Sequence, residues 1–193
     1  SIVNVGNALM KGMGKAATTS TSAEGGNVSV ADFSSFQPVT IEVQEHAHDS
    51  FTPMVYRLVR RSLLEGSDVV LLCRTRVLPY YIKSRDGDSG NSLDSFLSRI
   101  RSLFPQNFQE RITGSTAHSF KGLEGNTVIL LDALAMRFPL IHPDWIFFRI
   151  FGDSPSKIED EERRLFYVAL TRAKHELIIV TESHRQSPFL QEI

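Results

Sequence analysis

Two stretches bring together side chains able to bind or transfer a charged group. The first is "STAHSFKGLEGNTVILLD" (115–132), where His118, Lys121 and Glu124 stand between a polar run and an apolar strand. A surface loop rarely needs a His, a Lys and a Glu packed so closely before a buried strand, which raises the question of what the loop holds. Gly122 and Gly125 would let backbone approach a ligand, or simply make a turn. The second stretch is "SKIEDEERRLFYVALTRAKHELIIV" (156–180). Ser156 and Glu159 have capping-box spacing, and the acids 159–162 would sit in the favourable first turn of a helix. Leu165, Val168 and Ala169 form an apolar stripe that Arg172, seven residues after Leu165, continues. A charge at the end of a buried stripe needs a partner. Two readings stand for Arg172: a salt bridge to a local carboxylate, or a planar, permanently charged fork aimed at a phosphate held by another domain.

The elements that must position these residues are legible in part. An apolar helix is expected at residues 1–10, continuing from upstream. Residues 11–31, rich in Gly, Ser, Thr and Ala, read as a flexible loop. "VTIEV" (39–43) alternates as a strand. Asp49 would cap a helix carrying Phe51, Val55, Leu58, Val59 and Leu63, stopped by Gly66. "DVVLLC" (68–73), "RITGST" (111–116), "TVILLD" (127–132) and "ELIIVTE" (176–182) read as strands. Helices are expected at about 76–83, 93–104 and 159–173, a polar loop at 84–92 and an irregular connection at 133–155. Strands apolar on both faces, alternating with helices, predict an α/β, doubly wound domain with a mainly parallel sheet. Ligands of such sheets bind beyond the carboxyl ends of the strands, which draws attention to the loops after Cys73 and before residue 127.

Bulk properties narrow the function. The 193 residues suit one domain, and a 41% hydrophobic content supports a packed core. Acids and bases number 22 and 21, so a strongly basic nucleic-acid binder is not indicated, while local phosphate contacts remain open. The single Cys73 precludes an internal disulfide and points to a reduced, cytoplasmic setting. No apolar run reaches a membrane span, and no membrane partner is expected. His46 and His48 lack the companions of a metal site, and nothing sets up a catalytic triad. Arg163, Arg164, Lys174 and Arg185 read as a solvated basic face, and Phe147 and Phe148 as core.

Taken together, "TAHSFKGLE" (116–124), "EERRLFYVALTRAKHELIIV" (161–180), "VVLLCRTR" (69–76) and "SIVNVGNALM" (1–10) resemble, in order and spacing, segments of the UvrD/Rep/PcrA-like superfamily 1 DNA helicases. The first three are similar to motifs V, VI and IV; motif VI is the most specific. The resemblance implies the second RecA-like motor domain, a three-layer P-loop-NTPase-type fold with helices on both faces of the sheet. No G-x-x-x-x-G-K-[ST] occurs, so the phosphate cradle and the magnesium-binding acids would belong to an N-terminal RecA-like domain of the same polypeptide.

The resemblance also implies roles. Arg172 would be the arginine finger on the γ-phosphate of ATP, and Arg74 a second γ-phosphate contact. Glu124 would accept from the ribose hydroxyl, with pairing to Lys121 or another base as the plainer alternative. Gly122 would help shape the ATP site. Thr116, His118 and Lys121 would face single-stranded or partly duplex DNA, or link it to the nucleotide; His118 as a structural histidine and Lys121 as a loop clamp are the alternatives. Two departures stand out. Gly125 and Asn126 replace the aromatic and proline that family members often carry. Only residues 75–115 separate Arg74 from Thr116, so a compact domain without the large helical insertion is expected. The isolated chain would hydrolyse nothing. A catalytically inert RecA-like binding or scaffold module is the rival reading.

Overall fold

The computed structural model describes residues 1–11, 13–14, 25–37, 52–78, 92–141 and 154–193. Among these residues, five strands form one all-parallel sheet in the order β1-β5-β4-β2-β3: β1 (Asn27–Asp32), β2 (Val69–Cys73), β3 (Ile112–Thr116), β4 (Gly125–Leu130) and β5 (Ala173–Thr181). The α-helices among the described residues are α1 (Ile2–Lys11), α2 (Thr52–Leu64), α3 (Leu93–Ser102), the single turn α4 (Gln106–Gln109) and α5 (Pro155–Leu170).

Why the central strands read as continuous apolar runs is visible in their alternation. Val69, Leu71, Cys73, Ile129, Ile178 and Val180 face one layer, built from α2 and α3. Val70, Leu72, Val128, Leu130, Leu177 and Ile179 face the other, built from α1 and α5. Each residue of β2 is buried, because both faces of a covered parallel sheet are interior. The α1–α5 contact is close: a Cβ on Gly6 would lie 2.9 Å from the ring of Tyr167. This is the doubly wound α/β architecture that the strand and helix pattern predicted, in the RecA-like three-layer form that the family resemblance implied.

Several boundaries differ from expectation. The stretch 11–31 is not all loop: Asn27–Asp32 forms β1, pairing in parallel with β5 from Asn27–Glu176 to Asp32–Thr181. Its alternation of small and polar residues suits a half-exposed edge strand, which carries no apolar run to betray it. Gly25 and Gly26 feed it at φ +64° and +67°, and Gly25 O accepts from Ile2 N, joining β1 to the start of α1.

At 76–78, where a helix was expected to begin, the chain is extended. Val77 forms an antiparallel bridge with Ser92. Arg137 holds this segment through Thr75 Oγ1 at 3.0 Å and Leu78 O at 3.2 Å. α5 begins at Pro155, capped by Ser154 rather than Ser156, because proline is suited to the first helical position. The acids 159–162 therefore lie beyond the first turn. The helix stops at Leu170 with Thr171 as its cap, so Arg172 follows the helix instead of extending its stripe. The expected strand 39–43, Asp49, most of the loop 84–92, His46, His48, Phe147 and Phe148 lie outside the described residues.

Candidate functional site

The site grows from the carboxyl ends of β2, β3 and β4. Where β2 ends, Arg74 is fixed twice. Its backbone N–H donates to both carboxylate oxygens of Asp132, at 2.9 and 3.0 Å. Its guanidinium reaches α5, with Nε donating to Glu162 Oε2 at 3.0 Å and Nη2 to Oε1 at 2.5 Å. This two-pronged ion pair has the geometry in which arginine binds carboxylate best. Glu162 is 8% exposed, and Oε2 accepts a further bond from Leu140 N at 3.0 Å.

Asp132 follows β4 and is fully buried. Removal from water pushes its carboxyl up from 3.8 to about 6; the Arg74 N–H bonds and the charges of Arg137 and Arg74 pull the other way. Cys73, buried beside it, has its thiol pushed well up, first by burial and then by Asp132, and reads as structural rather than reactive.

β3 ends at Thr116, which is buried. Its hydroxyl donates to Ser119 Oγ at 2.9 Å and accepts from Ser119 N at 3.2 Å, closing the turn that begins the loop 117–124. The hydroxyl is thus committed within the chain. His118 and Lys121 emerge exposed from the same turn. With Arg74, Glu161, Glu162 and Arg164 they line a cleft of about 440 Å³ between the loop and α5, whose floor is the apolar stems of Leu165 and Val168. Arg164 was expected on a solvated face; it opens onto the cleft and has no ion-pair partner among the described residues. Arg163 points elsewhere, pairing with Glu159 and Glu192 and stacking on Phe189.

Gly122 takes φ +86°, a left-handed turn that suits glycine, with open space around it. Gly125 opens β4 with its N–H on Arg172 O at 3.0 Å; a Cβ there would meet Val70 Cγ2 at 2.6 Å. Close packing, not a turn, explains this glycine. Glu124 is exposed and pairs with Lys174 at 3.5 Å, not with Lys121.

Arg172 lies past the end of α5, at the amino edge of the sheet, and is not among the residues lining the cleft. Nε donates to Val168 O at 3.1 Å, Nη2 to Thr171 Oγ1 at 3.4 Å and Nη1 to Leu123 O at 3.5 Å. The structure therefore brings Arg74, His118 and Lys121 together, and keeps Arg172 and Glu124 at the opposite edge of the sheet. Glu162, Asp132 and Arg164 are the members that sequence reasoning missed. The bond between Arg74 and Glu162 spans 88 positions, and no local spacing could reveal it.

The family model of the UvrD-like helicase C-terminal domain matches residues 74–184, a span that begins at Arg74 and contains the whole cleft. The chain belongs to this family. A solved structure, the C-terminal domain of a possible DNA helicase from Lactobacillus plantarum WCFS1, is similar at 16% identity with a TM-score of 0.41, over 87% of this chain and 80% of that one. No curated protein sequence matches. In this UvrD-like domain, no three His, Cys, Asp or Glu side chains gather as a metal site among the described residues. None of the described helices is long and apolar enough to cross a membrane.

Proposed function

We propose that this chain is the second motor domain of an ATP-dependent DNA helicase or translocase, working against an N-terminal RecA-like domain of the same polypeptide. The cleft carries this reading. Arg74, Lys121 and Arg164 place three cations around one concave surface, against Glu161 and Glu162. Such a surface suits the phosphoryl end of a nucleotide presented by a neighbouring domain. ATP, when bound, supplies the phosphoryl group. This chain's residues grip and orient it: Arg74 from a fixed position, Arg164 and Lys121 from flexible stems. Arg172 joins as the finger, and Glu124 reaches the ribose after leaving Lys174. Magnesium has no acidic cluster here among the described residues, and its ligands are assigned to the partner domain.

DNA is assigned to the exposed side of the loop 117–124, where His118 and Lys121 offer phosphate contacts that position a strand without reading its sequence. Thr116 supports this loop from beneath through Ser119. Cleft closure and reopening would then move the loop along the strand.

The rival reading, an inert RecA-like scaffold, draws on the satisfied state of Arg172. Two of its three bonds are 3.4 and 3.5 Å long, weak enough to give way to a phosphate. The experiment is DNA-stimulated ATP hydrolysis by the polypeptide that joins this domain to its P-loop partner, natural sequence against Arg172→Ala. The motor reading expects a fall of about three powers of ten or more with nucleotide binding retained. Equal rates, or no stimulated hydrolysis in either protein, would favour the scaffold.

A further inference from the structure

We infer that Glu162 is the positioning residue for Arg74, holding its guanidinium by one edge so that the other is presented to a phosphoryl group in the cleft. The inference rests on reading the cleft as a phosphate site.

Arginine has a long, flexible side chain, and an unheld fork would sample many directions. Here both ends of Arg74 are held. Asp132 fixes the backbone, with both oxygens on Arg74 N. Glu162 takes the Nε–Nη2 edge in two parallel bonds of 3.0 and 2.5 Å. The remaining nitrogen, Nη1, meets no hydrogen-bond acceptor among the described residues, and Arg74 lines the cleft. A guanidinium has five N–H donors, so a carboxylate on one edge leaves donors for an anion on the other.

The opposite role would have Glu162 compete with an anion for Arg74. Its surroundings speak against that. It is 8% exposed and tied from the other side by Leu140 N at 3.0 Å, so it is not free to swing away when an anion arrives. Its neighbour Glu161, exposed on the same cleft, is the carboxylate with freedom to move.

The two roles predict opposite signs. Removing a negative charge beside an anion site should strengthen anion binding by Coulomb attraction alone. If Glu162 positions Arg74, neutralising it should weaken binding. In Glu162→Gln one oxygen still accepts, but the amide nitrogen faces an arginine donor, and the two-pronged hold is lost.

The test uses the 193-residue chain with inorganic pyrophosphate as probe, followed through the side-chain signals of ¹⁵N-labelled arginines. In the natural sequence, the Arg74 Nε–H should be resolved and should shift with saturation. Glu162→Gln should keep the backbone amide spectrum outside the loop, broaden the Arg74 signal and weaken pyrophosphate binding on the order of tenfold or more. Glu162→Asp is the second variant, should the first fail to fold. It keeps the charge but draws the oxygens back by about 1.5 Å, and should also weaken binding. Unchanged or tighter binding in a folded Glu162 variant overturns the inference. Arg74→Ala separates the two layers of argument. If it leaves pyrophosphate binding intact, the phosphate-site reading fails. If it weakens binding while Glu162→Gln does not, only the role of Glu162 falls.

Discussion

Asp132 offers a direct test of how this fold supports its site. The carboxyl is fully buried, and burial lifts its pKa from 3.8 to about 6. A raised acid binds its proton more tightly in the folded state than in the unfolded chain. The stability it contributes is therefore complete below pH 3.8 and is lost as pH rises through about 6. The gap corresponds to about 3 kcal/mol in all, of which about 1 kcal/mol is lost between pH 5 and 7. At neutral pH the protein thus keeps a costly buried charge whose two oxygens hold Arg74 N.

Asp132→Asn removes the titration. It also leaves Arg74 N with one acceptor and introduces an amide donor, a loss of about 1–3 kcal/mol that does not vary with pH. The readout is therefore the difference between the two proteins across pH, not its value at one pH. Urea unfolding should show the advantage of the natural sequence shrinking by about 1 kcal/mol from pH 5 to pH 7, or about 0.5 M in midpoint. Groups common to both proteins cancel. Asp32, lowered to about 2 chiefly by its bonds to Ser183 and Ser34, loses its contribution only as pH falls through that value. Cys73, pushed up by burial, remains a thiol throughout. A difference that stayed constant, or grew with pH, would refute the argument that desolvation dominates at Asp132.

Two packing predictions stand apart from the charges. Gly125→Ala would press a methyl against Val70 Cγ2 at 2.6 Å inside the sheet, and should cost about 1–3 kcal/mol by urea unfolding. Phe166→Ala would empty the centre of an aromatic row, since Phe166 is fully buried with Phe138 and Phe189 at ring-centroid distances of 4.8 and 5.7 Å; a loss of about 3–5 kcal/mol is expected.

What could be read from sequence follows from how local each feature is. β2 and the carboxyl-terminal halves of β4 and β5 announce themselves because a parallel strand covered on both faces is apolar at successive positions. β1 did not, because an edge strand of Asn, Val, Ser, Val, Ala and Asp can be half exposed and still pair with β5. Arg74, His118 and Lys121 were found because they sit within recognisable segments at strand ends. Glu162 and Arg164 lay in such a segment too, but their roles depend on which way α5 is turned. That is fixed by the packing of Phe166, Ala169 and Leu170 on the sheet. Asp132 looked like the polar end of a strand; only the fold brings it under Arg74, 58 positions earlier.

The same geometry separates the two arginines first paired on motif grounds. Arg74 bonds Glu162 and Arg172 bonds Val168 O, points six residues or about 9 Å apart along the axis of α5. Arg172 is not among the residues lining the cleft onto which Arg74 opens. For both to reach one phosphate, one must move, and the bonds differ in strength. Arg74 is held by a carboxylate at 2.5 and 3.0 Å; Arg172 is held by neutral oxygens at 3.1, 3.4 and 3.5 Å. Arg74 adds the attraction of opposite charges to its two short bonds, which Arg172 lacks on its longer bonds to uncharged oxygens, so Arg172 is the member free to travel. The expected consequence is an asymmetry under pyrophosphate titration of this chain alone: the Arg74 side-chain signal shifts and the Arg172 signal does not. With the P-loop partner domain and nucleotide present, both should shift. An Arg172 signal that moved in step with Arg74 in the isolated chain would mean that the cleft already reaches across α5, and that no second domain is required to bring the finger in.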